Sequence, residues 1–482
     1  MLNSAKNRER KKVACVIPPF FRLVESKNNR LFPAMHYIAE ILHLRGHEVT
    51  LINGDFGDDT VDYADRLSIT LNSWLLEERL KKGHQSIDSV VAILKQLDPD
   101  IVFIGAGDIL IPTVEIGNAS SCFTLARRIK DEIGPDKICV GYGHLLRYVN
   151  AETLSSLDVV ITGEGEQHAI EIVEEGLRGT LTNSWLESLD QLPILTEGHL
   201  YYKVKPQDWD YIMSMRGCPN RCTFCFQPSF RGFNIAAMTP KRFIKEVRYR
   251  IEEFNTRGFY FADMVFIPGS GARTLEMLDR LIMVKEDYPD FRWWAEARVD
   301  TVTKREIVAK MVQSGCSHLK FGVEVMNQDM LNVIKKGISL NEVVDVFKLT
   351  ADYGIKRTAY VLLGCPGFKD ADYQEMWPYF RDLKADNYVI NINVPYQGTE
   401  LYEQIKDKLH SSGLYKNGEE GFTHTSLIMK KFWGISEKTL KMFFELEGVK
   451  DDSEFRQYKR KIVNHSNYLN SNEVIFSEFE TR

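Results

Sequence analysis

The chain has 482 residues, enough for two or three domains with buried cores. Its 61 lysines and arginines against 67 aspartates and glutamates leave a formal charge of −6, which gives no sequence-independent grip on nucleic acid. No apolar run reaches the length of a membrane span, and eight scattered cysteines are too few for a secreted disulfide scaffold, so a reducing cytoplasm is the expected setting.

The charged start, MLNSAKNRERKK, leads into no apolar h-region and reads as a short solvated tail, not a secretory leader. From there to about residue 180, β-rich runs alternate with amphipathic helical patterns. The runs are Lys12–Pro18, His47–Asn53, Asp100–Ala106, Lys137–Gly143 and Asp158–Gly165. Strands separated by helices build a doubly wound parallel sheet covered on both faces, with ligands beyond the carboxyl ends of its strands. Residues 54–97 exceed a normal connection and read as an inserted helical element. Glycines stand at the strand ends: Gly105, then Gly141 and Gly143 on either side of Tyr142, then Gly163 and Gly165. A missing side chain there lets a large ligand approach the backbone. Glu164 and Glu166 are placed to favour the positive end of the helix that follows.

After a linker at 181–207, a second series spans 208–395. Its strands are YIMSMRG, GFYFADM, RWWAEA, HLKFGVE, RTAYVLLG and NYVININ, and a helical pattern follows each of the first five. Such βα units in series predict a full or partial (β/α) barrel with its chemistry at the C-terminal strand ends. Residues 396–482 lack a strand series and read as a small, mostly helical, aromatic-rich cap on the barrel.

The loop RGCPNRCTFCFQ (216–227) follows the first strand of the second series. A structural zinc site takes four protein ligands, yet the closest histidine is His199 and the next cysteine is Cys316. A disulfide would leave an odd thiol. A 4Fe–4S cluster is held by one thiolate per iron, so Cys218, Cys222 and Cys225 would leave one iron open to a further ligand.

At these residues the chain resembles the radical S-adenosylmethionine superfamily, which has this spacing with an aromatic residue, here Phe224, before the third cysteine. Phe261–Phe266, Glu296–Asp300, Gly315–Val325, Leu362–Phe368 and VPYQGTELYEQI resemble the family's later strand-end segments in order. The resemblance implies that the open iron chelates the amino and carboxylate groups of S-adenosylmethionine. An electron then splits the sulfonium, and the released 5′-deoxyadenosyl radical takes a hydrogen atom from substrate. It implies cofactor contacts at Phe224, Asp263, Arg298, Glu324, Gly364 and Pro366, with Met264 departing from a common second acid. An ordinary ion pair across the barrel mouth accounts equally for Arg298 and Glu324, and turn chemistry for Gly364 and Pro366.

The first series, with FPAMHYIAEILHLRGHEVTLIN, VGYGHLL and ITGEGEQHAIEIV in this order, resembles the cobalamin-binding domain of the superfamily's cobalamin-dependent class. That implies corrin contacts at Gly105, Gly141, Tyr142, Gly143, Gly163, Glu164, Gly165 and Glu166. The D-x-H-x-x-G motif that places histidine on cobalt is absent, and His36, His47 and His144 read as satisfied structural residues. The pair of domains implies a cobalamin-dependent methyltransferase acting on an unactivated carbon of a small molecule. One S-adenosylmethionine would methylate cobalt and another would make the radical. Oxidative cyclisation or ring rearrangement with the same cofactors is the alternative outcome. A non-catalytic cobalamin-binding sensor is the alternative of another class; it would form no 5′-deoxyadenosine. An electron donor such as flavodoxin or ferredoxin is the expected partner, with no nucleic acid and no membrane insertion.

Overall fold

The structure is a computed structural model that describes residues 9–24, 33–56, 78–106, 116–182, 185–201, 210–267, 271–412 and 426–448. The first part of the expected N-terminal tail, residues 1–8, lies outside them. The first sheet contains β1 (Lys12–Ile17), β2 (Glu48–Asn53), β3 (Ile101–Gly105), β4 (Ile138–Tyr142), β5 (Val159–Ile161) and β6 (Gly179–Leu181). The order is β2-β1-β3-β4-β5-β6 and every pairing is parallel. The sequence reading missed β6, a short strand with two exposed residues and no apolar alternation.

Period-two alternation divides the core into two layers. From β1, Val13, Cys15 and Ile17 face helices Pro33–Leu44 and Glu166–Glu175, while Ala14 and Val16 face helices Gln85–Leu97 and Ile116–Glu132. The sheet is therefore doubly wound, with its topological switch between β1 and β3. The reading of 54–97 as an insertion is corrected in its described part. Helix Gln85–Leu97 is the crossover that joins parallel β2 to β3, a connection this topology requires. Residues 57–77 lie outside the described residues.

The second sheet comprises β7 (Asp210–Ile212), β10 (Gly258–Phe261), β11 (Arg292–Ala297), β12 (Cys316–Glu324), β13 (Lys356–Leu363) and β14 (Asn387–Ile392). Between β7 and β10 lie β8 (Met215–Arg216) and β9 (Ala236–Ala237), an antiparallel pair outside it. The order β14-β13-β12-β11-β10-β7 is fully parallel and does not close, so the barrel is partial. Phe259, Phe261, Trp293, Leu319, Phe321 and Val361 form the core on one face with the crossover helices. Intervening positions carry Tyr260, Trp294, Glu296, Lys320 and Tyr360 on the opposite face, with the polar contacts given below.

Tyr211–Gly217, expected as one strand, divides at Met213. β7 stays in the sheet, while the Asp263 carboxylate accepts from Ser214 N (2.7 Å), Met215 N (2.9 Å) and Ser214 Oγ (2.5 Å) and draws β8 away. The C-terminal region is helical over Glu400–Ser411, Ser426–Trp433 and Glu437–Leu446. It packs on helix Asp370–Asp382, where Trp377 Nε1 donates to the Met442 carbonyl at 2.6 Å. It also covers the edge strand β14, whose Ile390 N donates to Glu447 Oε1 at 2.5 Å. No helix among the described residues is long and apolar enough to cross a membrane.

Candidate active site

The cysteine loop hangs from β8. Gly217 begins it at φ +91°, and a Cβ there would collide with the Asn234 carbonyl oxygen, so only glycine makes this turn. The Cys222 carbonyl accepts from Cys225 N at 3.1 Å. Thr223 is tied on both sides: its N donates to Ile334 O and its carbonyl accepts from Leu401 N, both at 2.9 Å. These bonds fix the loop between the segment after β12 and the helix after β14. Burial pushes the Cys225 thiol up to about 12, helped by neighbouring Cys222. Burial also raises Cys222, against the pull of Lys336 and Arg298. On the Cys222 side two cations, Lys336 and Arg298, outnumber the one carboxylate, Glu324, a balance that suits a bound polynuclear metal group. Asn220 Nδ2 donates to Cys218 Sγ at 3.2 Å, and Arg298 reaches Cys222 Sγ at 3.9 Å.

Arg298 and Glu324 do not pair with each other across the barrel mouth. Arg298 binds Asp300 through Nε (2.9 Å) and Nη2 (3.0 Å) and donates to the Lys336 carbonyl at 2.7 Å. Glu324 takes Lys336 Nζ at 2.7 Å. Lys336 is the residue that sequence reasoning missed. It is buried, joins the two expected residues, and lies 6.0 Å from the centre of the Phe224 ring. Gly322 makes room for it, since a Cβ at 322 would lie 2.5 Å from Lys336 Nζ. Glu324 sits at φ +66° where the strand ends, a position that favours glycine, so its side chain is held there by the pairing.

Asp263, expected as a cofactor contact, has both oxygens committed to Ser214 and Met215, and burial raises its carboxyl to about 6. It anchors the root of the cysteine loop. Gly364 (φ +104°) donates its N to Tyr373 Oη at 3.0 Å and presents its bare face to Trp433, whose Cδ1 would lie 2.5 Å from a Cβ. Pro366 is half-buried in the turn that follows. Within the lumen Tyr260 stacks on Trp294 at 3.6 Å, Lys320 Nζ lies 4.0 Å over Trp294, and Glu296 accepts from Tyr260 Oη (3.2 Å) and Tyr360 Oη (2.9 Å).

The C-terminal edge of the first sheet meets this loop. Glu164 accepts from Arg231 and from Leu186 N, the latter at 2.6 Å, and lies 3.5 Å from Arg216. Glu166, in the first turn of its helix, takes Arg216 Nη2 at 2.6 Å. All four charged side chains are buried. The two glutamates therefore face arginines that flank the cysteine loop, and helix placement is only part of their role. Next to them His144 engages Thr162 O (3.1 Å) and Ser229 Oγ (3.3 Å) and lies between Phe226 and Phe230. Burial lowers its pKa to about 4.

The glycines serve different ends. At Gly141 a Cβ would meet Leu157 and Leu146, and at Gly165 it would meet Ile38 and the ring of Tyr142; both absences serve packing. At Gly143 it would meet the Ala106 backbone where β3 ends, whereas Gly105 has ordinary van der Waals neighbours. Gly163 is buried at the end of β5 and Tyr142 is buried in the core.

Residues 212–377 match the family model of the radical SAM superfamily. The hopanoid C-3 methylase of Methylococcus capsulatus is 24% identical over 408 residues, 77% of this chain and 75% of that protein. Among solved structures, the fold is that of the radical S-adenosylmethionine methyltransferase TsrM from Kitasatospora setae, solved with cobalamin and a [4Fe-4S] cluster. The TM-score is 0.58 at 15% identity, covering 83% of this chain and 75% of that one. It is also the fold of the cobalamin-dependent S-adenosylmethionine radical enzyme OxsB, solved with aqua-cobalamin and S-adenosylmethionine. There the TM-score is 0.63 at 13% identity, covering 95% of this chain and 71% of that one.

Proposed function

We infer that this chain, a member of the radical S-adenosylmethionine superfamily with the fold of its cobalamin-dependent enzymes, is a methyltransferase acting on an unactivated carbon of a small molecule. The observation that carries the reading is the meeting of two strand-end surfaces. The cysteine loop of the partial barrel and the Thr162–Glu166 end of the doubly wound sheet are joined by Arg216 and Arg231. When bound, a 4Fe–4S cluster on Cys218, Cys222 and Cys225 supplies reductive cleavage of S-adenosylmethionine, and cobalamin supplies methyl carriage. The chain's own residues orient and shield. Arg298 and Lys336 place positive charge beside Cys222, and Glu324 offers a carboxylate at the barrel mouth for the cofactor's ammonium or ribose. Phe224 beside Lys336 and Trp433 against Gly364 offer apolar rings that would keep stray hydrogen-atom donors from a reactive radical.

In this reading residues 1–180 hold cobalamin, 181–207 link, 208–395 hold the cluster and S-adenosylmethionine, and 396–482 cap the barrel. His144, beside the Thr162–Glu166 strand end, engages Thr162 and Ser229 through its two ring nitrogens and would not serve as a cobalt ligand in this reading. The enzyme works in a reducing cytoplasm and draws electrons from a flavodoxin- or ferredoxin-type donor.

The test is product analysis. Anaerobically reconstituted protein is given methyl-labelled S-adenosylmethionine and candidate substrates. S-adenosylhomocysteine and 5′-deoxyadenosine should accumulate in equal amounts, with a labelled methyl group in the product. 5′-Deoxyadenosine without S-adenosylhomocysteine or methyl gain would replace methylation by cyclisation or rearrangement. Absence of 5′-deoxyadenosine would leave a binding protein.

A further inference from the structure

Away from the barrel mouth, His36, Glu40 and His199 converge where the linker crosses the first domain. Their candidate ligand atoms lie within 4.8 Å of one another and all three residues are buried. His36 and Glu40 are one turn apart on helix Pro33–Leu44 and so share a face. His199 arrives from the linker, where its carbonyl accepts from Leu51 N at 2.9 Å and Leu200 bridges to Leu51 beside β2. Nothing in the proposed reaction uses these residues.

Their surroundings are those of a ligand set. His199 has a side chain 1% exposed, and neither ring nitrogen has a hydrogen-bond partner, although Nδ1 is 3.7 Å from Glu40 Oε2. A buried imidazole with two idle nitrogens is costly unless something occupies one of them. Thr196 orients the other two groups. Its carbonyl accepts from His36 Nε2 at 2.7 Å, and its N and Oγ1 both donate to Glu40 Oε2 at 2.8 Å. A ligating histidine that gives its other N–H to a carbonyl, beside a carboxylate fixed by its own donors, is the outer-shell arrangement that metal sites use.

We propose that His36, Glu40 and His199 bind one divalent transition ion, zinc foremost, which clamps the linker to the first domain. Two imidazoles and one carboxylate match zinc at about 2.0–2.2 Å per bond, with a water as fourth ligand. Oxygen-preferring magnesium and calcium are disfavoured. Fixing His199 fixes the path by which the chain leaves the first sheet for the barrel, so the ion would set how the two strand-end surfaces meet.

The experiment uses the full-length chain with Cys218, Cys222 and Cys225 changed to alanine, which removes cluster iron. Metal-free protein is titrated with Co²⁺. Visible d–d bands of a nitrogen–oxygen site should saturate at one ion per chain and be displaced by Zn²⁺, and Zn²⁺ should raise the melting temperature. His199→Gln and Glu40→Gln should abolish both responses at unchanged far-ultraviolet circular dichroism. His43→Ala should retain them, since that ring only stacks on His199 at 5.6 Å. Thr196→Val should weaken Co²⁺ by about 10–100-fold, and this graded shift decides if either glutamine variant unfolds. No saturable bands in the parent, thiolate charge-transfer bands from the remaining cysteines, bands that survive both glutamine changes, or unchanged affinity in Thr196→Val would each overturn the proposal.

Discussion

Lys336 shows what one side chain does that no local pattern announces. It lies in an unremarked KKG run, and its pairing with Glu324 depends on where the end of β12 folds back. Lys336→Ala leaves Glu324 buried without its cation, which should cost about 3–5 kcal/mol in anaerobic denaturant titration. The double change Lys336→Met with Glu324→Gln should recover most of that stability but not S-adenosylmethionine affinity. Recovery of both would show the pair to be structural only. The cysteine motif, by contrast, stands out because its spacing is local. Changing all three to alanine should remove the cluster's visible absorption and S-adenosylmethionine cleavage, and about four irons per chain surviving that change would end the assignment. His144 gives a pH signature. Burial holds its pKa near 4 against an ordinary 6.5, so the unfolded chain takes up the proton first as pH falls. Its contribution is complete above about 6.5 and drains away down to about 4. Across that window the parent should lose up to about 1.4 kcal/mol per pH unit relative to His144→Gln. Parallel stability–pH curves would refute this.

At the scale of elements, alternation and strand–helix order exposed both sheets, because each strand's apolar period is a local property of the chain. What escaped was set by tertiary partners. β8 separates from β7 because Asp263 captures two consecutive amides, and a carboxylate that follows a different strand leaves no mark near residue 214. The fit of helix Ser426–Trp433 to the barrel was equally hidden. Trp433 Nε1 donates to Asn393 O at 2.7 Å while its ring fills the space a side chain at Gly364 would take. Trp433→Ala should cost about 2 kcal/mol, roughly half the fully buried value. It should also raise the ratio of 5′-deoxyadenosine to methylated product, as the opened mouth admits other hydrogen-atom donors such as buffer thiols. An unchanged ratio would confine Trp433 to packing.

At the scale of the molecule, the two halves meet through buried charge. Two glutamates at one sheet's strand ends face two arginines that flank the cysteine loop, and Phe226 of that loop and Phe230 just beyond it pack into the first domain's two cores. Domain order was legible from the sequence, but this junction was not: Glu164 reads as a helix-start or corrin contact, and nothing local marks Arg231 as its partner until the fold buries both. Arg231→Met leaves Glu164 with fewer donors and should destabilise the chain by about 3–5 kcal/mol. If the junction also aligns the halves, cobalamin retention on gel filtration should fall with it. Full retention at lowered stability would separate adhesion from alignment.

The cover over β14 has a consequence during synthesis. Ile390 waits for Glu447, which leaves the ribosome 57 residues later. At about 5–20 residues per second that is a delay of roughly 3–11 s in which a nascent barrel displays an open row of backbone donors and acceptors. Neighbouring chains on one polysome can join edge to edge in that interval. Yield of soluble protein should therefore fall when slow codons lengthen the interval between the emergence of Ile390 and that of Glu447 from the ribosome, and slow codons that act before Ile390 emerges should make no difference.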